Sequence, residues 1–140
     1  MVSVTKRRRP GARSRESGIS LMIGILSLLF IIPMVGLTID VGVLYTVKSR
    51  LQSAVDGASL AAARSLNIGQ STTAQTDSAR QNAVNWFYGN FPNGVWATTN
   101  TQMTASSVNV YDDTANPHLR NVSVSATTSA PTYFMKWLGF

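Results

Sequence analysis

Hydrophobic and polar residues change in pattern along this chain, and the first pattern is a long apolar run. Between Glu16 and Asp40 there are 23 residues without a charge, which as a helix would reach roughly 35 Å against about 30 Å of bilayer hydrocarbon. A cleaved signal peptide has a shorter apolar core, closely followed by small residues at the cleavage site. Here the nearest such stretch is Ala61–Ala63, well beyond Asp40. The run therefore predicts a retained transmembrane helix over residues 17–39.

A proline lies inside this predicted span. Pro33 cannot donate a helical hydrogen bond, and its ring crowds the preceding turn. We therefore expect the helix to continue through this residue with a kink near Leu29–Pro33.

Beyond the span, apolar residues recur at a helical spacing. Two series of residues lie on one stripe of a helix, with successive members of each series seven positions apart. The first series is Leu37, Leu44, Leu51 and Ala58, and the second, three positions later, is Asp40, Val47, Ala54 and Ala61. Such a stripe is typical of a helix that packs against another helix, and we call these eight residues the contact seam. Asp40 then has two interpretations, a residue resting at the membrane interface or a member of the seam. The pattern predicts one helix that continues to about Leu66, before stop signals at Asn67–Gly69.

A second helix is predicted in the polar region that follows. Thr72 or Thr73 can cap its N-terminus, and apolar residues recur on one helical face after it. We expect this helix to cover residues 73–88 and to stop at Gly89.

After Gly94 the spacing of apolar residues changes from helical to alternating. Two short runs, 108–110 and 122–124, alternate valine with polar residues, and a turn-rich stretch separates them. This pattern predicts a β-hairpin, joined by a further strand within 95–104. The apolar stretch 130–140 is expected either to cover this sheet or to form an adhesive end.

Taken together, the patterns predict an α+β membrane protein with the outline of a pilin. Its expected parts are a basic cytoplasmic tail over 1–16, a transmembrane segment over 17–39, a periplasmic extension of the same helix over 40–66, and a small α+β extracytoplasmic head over 67–140. The head is expected to contain a short helix and an antiparallel β-sheet.

The net charge of +6 is located in the N-terminal tail. Six of the twelve basic residues precede Glu16: Lys6, Arg7, Arg8, Arg9, Arg13 and Arg15. From Glu16 onward, six basic residues balance six acids. A basic cluster directly before a span keeps the N-terminus in the cytoplasm, so we expect an inner-membrane protein with a periplasmic head. The less favoured interpretation is a membrane-tethered nucleic-acid-binding protein that uses the same tail.

Residues that could support catalysis or metal binding are sparse. The chain has no cysteine, and its one histidine, His118, has no second histidine or cysteine with which to form a zinc site. Asp112–Asp113 could bind a cation, but adjacent acids in a turn usually face solvent. Glycine motifs for phosphate or dinucleotide binding are missing. We therefore expect no enzymatic activity, no cofactor, no metal and no small-molecule substrate.

The order of several elements in residues 16–63 is characteristic of a protein family. These elements are Gly18, Pro33, Asp40-Val41-Gly42, Tyr45, Leu51-Gln52, Asp56, Ala58 and Ala61–Ala63. In this order they resemble the N-terminal region of TadG-like proteins (TadE/TadG family) of the bacterial Flp, or tight-adherence, pilus assembly systems. A weaker likeness covers residues 122–139, where a strand is followed by Pro-Thr and an aromatic end. The resemblance does not reach the large extracytoplasmic domain of many relatives, so the metal site of that domain is not carried over.

The resemblance implies a non-enzymatic pilus-assembly component in the membrane. Its partners would be other pilus-assembly or pilin subunits, and further copies of itself. Contacts would be made along the helix and through the head.

The main competing hypothesis is a pilin-like filament subunit, major or minor, assembled into an extracellular filament. Substrates of prepilin peptidase carry a glutamate five residues after the processed glycine, and Gly11 and Glu16 have that spacing. Cleavage would then leave Ala12 as the first residue. Against this hypothesis, Arg13 and Arg15 stand where pilins are apolar, and charged residues are costly in an apolar environment. The sequence leaves this alternative open.

Overall fold

The computed structural model describes residues 13–116, 118–137 and 139, with side chains from residue 18 onward. Three helices and four strands follow one another: α1 (Arg13–Ser65), α2 (Thr72–Asn90), β1 (Thr99–Gln102), β2 (Val108–Asp112), β3 (Arg120–Val124), β4 (Thr127–Ser129) and α3 (Phe134–Trp137). Short 3₁₀ turns at Val95–Ala97 and Ala105–Ser107 precede β1 and β2.

Helix α1 is one continuous element of 53 residues with Pro33 inside it. This continuity confirms the predicted long N-terminal helix, while the kink near Leu29–Pro33 stays a prediction. The large apolar side chains between Ile19 and Val35 are all more than half exposed. Over Gly18–Ser65 the helix is long and apolar enough to cross a membrane.

Helix α2 packs along the second half of α1 through small side chains. Ala54, Ala58 and Ala62 of α1 and Ala79 and Ala83 of α2 are all buried. Because alanine side chains are short, the two helix backbones can approach closely and exclude water from the contact.

The beginning and end of α2 differ slightly from the expected ones. Ser71 is the N-cap rather than Thr72 or Thr73, since its hydroxyl oxygen accepts a hydrogen bond of 3.2 Å from the Ala74 N–H. The helix continues to Asn90, and its last turn is closed by the bond of 2.7 Å from the Phe91 N–H to the Phe87 carbonyl. Gly89 therefore does not stop the helix.

The predicted hairpin is confirmed. Strands β2 and β3 pair antiparallel in regular register, with Val108 opposite Val124 and Val110 opposite Val122. The Arg120 guanidinium ties this hairpin to α2, donating to the Gln75 side chain at 3.2 Å and to the Thr76 hydroxyl at 3.0 Å.

The expected third strand of this sheet forms a different sheet instead. Strand β1 pairs antiparallel with β4, and the two strands make a separate two-stranded sheet. Their register is irregular between Thr99 and Gln102, where Asn100 has a positive φ of 52°. The 3₁₀ turn Ala105–Ser107 then separates β1 from β2, so β1 does not continue the β2–β3 sheet. The sequence predicted a strand within 95–104 but neither β4 nor the pairing of the two.

The core of the head is built around Phe87 and Phe91 of the α2 end. Both rings are buried and stack with centroids 5.9 Å apart. Met103 and Val108 are buried beside them, and the Met103 N–H donates to the Tyr88 hydroxyl at 3.2 Å.

The C-terminal apolar stretch was expected to cover the sheet or to form an adhesive end, and its described helix does neither. Helix α3 packs against α1 instead. The contact is made at Gly36 and Asp40, where the predicted span ends.

Candidate functional site

The carboxylate of Asp40 is buried and accepts three backbone hydrogen bonds from the far end of the chain. Its Oδ1 accepts a hydrogen bond from the Tyr133 N–H at 2.9 Å. Its Oδ2 accepts from the Phe134 N–H at 2.9 Å and from the Met135 N–H at 2.7 Å. Asp40 is completely buried by these contacts. We call this arrangement the Asp40 clasp.

The clasp satisfies backbone groups that have no partner within α3. The first N–H groups of any helix lack an intrahelical acceptor, and a carboxylate near them is stabilised by their aligned dipoles. In a helix as short as Phe134–Trp137, these first donors make up most of the backbone N–H groups. Asp40 thus replaces the water that would otherwise bind them, through strong charge-assisted bonds.

Gly36 provides the room for this contact. It lies one helical turn before Asp40, on the same face of α1. A Cβ atom placed on Gly36 would lie 2.5 Å from Cγ and Cδ1 of Phe134. Any larger residue at this position would therefore push α3 away from α1.

An apolar groove of about 420 Å³ lies between α1 and α3. It is lined by Ile32, Pro33, Tyr133, Phe134 and Trp137. The groove opens next to the exposed apolar half of α1, so its walls belong to the same apolar surface as the predicted span.

The structure divides the predicted contact seam into two parts. Val47, Ala54 and Ala58 are buried in the chain's own core, and Leu51 and Ala61 are half-buried. Leu37 and Leu44 remain exposed, at 45% and 37%. A seven-residue spacing predicts which face of a helix is covered, but it cannot tell whether the chain's own head or another protein covers it.

The donors to Asp40 come from the same chain. From the sequence, a seam position implied contact with another helix, whereas the structure supplies three backbone N–H groups of residues 133–135. Backbone donors leave no trace in side-chain patterns. The one signal in the sequence that this segment has a binding surface was its richness in aromatic residues.

The predicted topology determinants and processing site fall largely outside the described residues. Lys6, Arg7, Arg8 and Arg9, together with Gly11 and Ala12, lie outside them. Arg13, Arg15 and Glu16 are in the first turns of α1, where their side chains are not described. The orientation and the cleavage therefore stay predictions.

The acidic pair in the hairpin turn has structural partners. The Asp113 carboxylate accepts hydrogen bonds from the N–H groups of Ala115 at 2.7 Å and Asn116 at 3.1 Å, and from the Asn121 side chain at 3.3 Å. These bonds, the Ala115 one above all, lower the pKa of Asp113. Asp112 pairs with Arg120 at 3.2 Å. Among the side chains described from residue 18 onward, no three acidic, histidine or cysteine groups cluster as a metal site would require.

Comparison with known proteins places part of this site within a family pattern. Residues 18–65 match the family model described as Flp pilus-assembly TadE/G-like. No curated protein and no solved structure gives a significant match to the chain. The family match confirms the resemblance seen in the sequence and supports a pilus-related role. It covers Gly36 and Asp40, and it ends with α1, before the segment that contacts both residues.

Proposed function

We propose that this protein is a non-enzymatic, single-pass inner-membrane component of a Tad/Flp-type pilus assembly system. The observation that carries the proposal is the coincidence of the family match with α1. Within this one helix, an exposed apolar half is followed by a half that organises the head. The basic tail places the N-terminus in the cytoplasm and the head in the periplasm.

In this role α1 serves as both anchor and scaffold. The exposed side chains from Ile19 to Val35 are suited to lipid, since that much apolar surface is not tolerated in water. From Val47 to Ser65 the same helix carries the buried stripe on which the head is built. Because the helix is continuous, it holds the head at a fixed distance from the membrane.

Contacts with other pilus components would use the exposed part of α1 just outside the span. Leu37, Val41 and Leu44 are spaced as i, i+4 and i+7, and all three are exposed. They form an apolar stripe that the chain's own head leaves uncovered. Another helix, from a pilus subunit or a second copy, can pack on such a stripe.

Co-purification after extraction in mild detergent tests this proposal. Leu37→Ala and Leu44→Ala should lower the recovery of pilus components while leaving membrane insertion intact. Gln52→Ala is the matched control, since this side chain is exposed and polar on the same helix. Equal recovery from all three variants would show that the exposed stripe is not an interface.

Membrane orientation is tested with introduced cysteines, because the chain has none of its own. A cysteine at Ser3 should be protected from a membrane-impermeant thiol reagent in intact spheroplasts, and a cysteine at Ser106 should react. Labelling in the opposite sense would reverse the orientation.

The filament-subunit alternative predicts a different mature N-terminus. It is favoured by the spacing of Gly11 and Glu16. Sequencing the protein purified from membranes separates the two hypotheses. Met1 or Val2 as the first residue supports the anchored component, and Ala12 supports a processed filament subunit.

A further inference from the structure

Helix α3 and the residue before it expose large aromatic side chains beside the predicted span. Trp137 is 79% exposed and Tyr133 is 57% exposed, with Lys136 also exposed between them. The helix contacts α1 at Gly36, and Ile32 and Pro33 of α1 line the groove beside it, within the apolar run.

The position of this contact along α1 corresponds to the edge of a bilayer. About 20 apolar residues suffice to cross the hydrocarbon core, so a span that begins at Ser17 reaches its outer edge near Gly36. Tryptophan and tyrosine concentrate at this depth, because their rings are apolar and their polar atoms reach water. A lysine there can extend its ammonium group to the headgroups.

The Asp40 clasp removes the main obstacle to placing α3 at this depth. Backbone N–H groups without a partner are costly at membrane depth, because little water is available to bind them. The three backbone N–H groups of residues 133–135 are all bound by Asp40. The carboxylate is in turn compensated by three donors, so neither partner requires hydration.

We propose that α3 lies in the outer-leaflet interface of the membrane, with a phospholipid acyl chain in the groove between α1 and α3. The groove is lined by aliphatic and aromatic side chains, and Ile32 joins it to the exposed surface of α1. This continuity, together with the aromatic and lysine side chains, favours lipid over a second protein copy as the occupant. The protein then contacts the membrane with two segments from opposite ends of its sequence. This inference rests on the proposed membrane span.

The three tryptophans form a natural depth scale for testing it. Trp137 lines the groove together with Pro33. The Arg50 guanidinium lies 5.7 Å from the ring centroid of Trp96. Trp86 packs on Gly57, where an added Cβ would lie 2.5 Å from its Nε1. Trp96 and Trp86 therefore lie at the levels of Arg50 and Gly57 on α1. At 1.5 Å per helical residue, these positions are about 25 Å and about 36 Å beyond Pro33 along the helix.

The experiment uses single-tryptophan variants of the full chain, in which the other two tryptophans are replaced by phenylalanine. Each variant is reconstituted in phosphatidylcholine–phosphatidylglycerol vesicles that contain a fraction of brominated lipid. Trp137 should lose much of its fluorescence and emit at shorter wavelength, while Trp96 and Trp86 should not be quenched. In the otherwise native chain, Trp137→Phe should remove the quenchable component.

A reference variant separates failure of this inference from failure of the proposed anchor. Leu26→Trp, in a background with all three native tryptophans replaced by phenylalanine, reports on the middle of the span. If it is quenched and Trp137 is not, α3 does not touch lipid and the inference is overturned, while the anchor stands. If neither is quenched, both are overturned. Equal quenching of Trp137, Trp96 and Trp86 would mean that the head as a whole lies on the membrane, which also overturns the specific role of α3.

Discussion

Phe134 packs directly over Gly36, with no room between them for even a methyl group. One turn further along α1, Asp40 binds the backbone at both ends of the same short segment, from Tyr133 to Met135. The steric notch and the carboxylate therefore act together: one admits the ring, and the other fixes the backbone that carries it. This double contact explains how a helix of four residues is held in place against α1.

Gly36→Ala should loosen this contact. Alanine is ordinarily the better helix former by about 1 kcal/mol, yet here its methyl group would displace Phe134. The backbone N–H groups of residues 133–135 should then exchange with deuterium faster, which mass spectrometry in detergent can measure. Gly42→Ala is the matched control, since nothing lies within 4 Å of the added atom. Faster exchange in both variants would argue against a specific notch.

Asp40→Asn should release the same three N–H groups. An asparagine side chain has one acceptor oxygen, and its NH₂ group would face donors. Hydrogen exchange at residues 133–135 should accelerate by at least about tenfold, because charge-assisted bonds are lost. Asp56→Asn is the matched control and should leave this exchange unchanged. Asp56 lies on the same helix, but its carboxylate is exposed and binds only the Gln52 side chain. An Asp40→Asn protein with native protection would refute the clasp.

Phe87→Ala should destabilise the head. The ring is fully buried in the hydrophobic core shared by α1, α2 and β2. Truncation of such a residue costs about 3–5 kcal/mol through lost transfer energy and the cavity left behind. Urea unfolding in detergent, followed by tryptophan fluorescence, should show a lower midpoint. Tyr45→Ala removes an aromatic side chain that is 75% exposed, and it should change the free energy of unfolding by no more than about 0.5 kcal/mol. Similar losses in both variants would contradict the assigned core.

The hairpin turn should weaken in acid through Asp113. Hydrogen bonds from Ala115, Asn116 and Asn121 hold its pKa below the ordinary value, against a smaller opposing effect of burial. A group with a lowered pKa in the folded state stabilises the fold above its unfolded pKa of about 3.9. That stabilisation is lost as the pH falls through the folded pKa. NMR titration of the Asp113 carboxyl should therefore give a midpoint below about 3.9, and Asp113→Asn should abolish the acid-induced shift of the Ala115 amide. A midpoint at or above the ordinary value would contradict these bonds.

Much of this fold follows from local sequence patterns. The apolar run and the helical spacing predicted α1, and a capping residue followed by helical spacing predicted α2 to within a few residues. Alternating valines predicted the β2–β3 hairpin. These elements are predictable because their periodicity and end signals are contained in neighbouring residues.

The pairings between distant segments were decided only by the tertiary structure. Asp40 and Tyr133 are 93 residues apart in sequence, and the donors to Asp40 are backbone groups that every residue except proline possesses. The pairing of β1 with β4 also joins distant segments. Alternation of apolar and polar residues can indicate a strand, but it does not indicate which strand it pairs with. The sequence by itself determined an apolar helix with an acid at its edge. Folding of the C-terminus back onto that helix determined what the acid binds, because only the three-dimensional path of the chain brings those unpaired N–H groups to it.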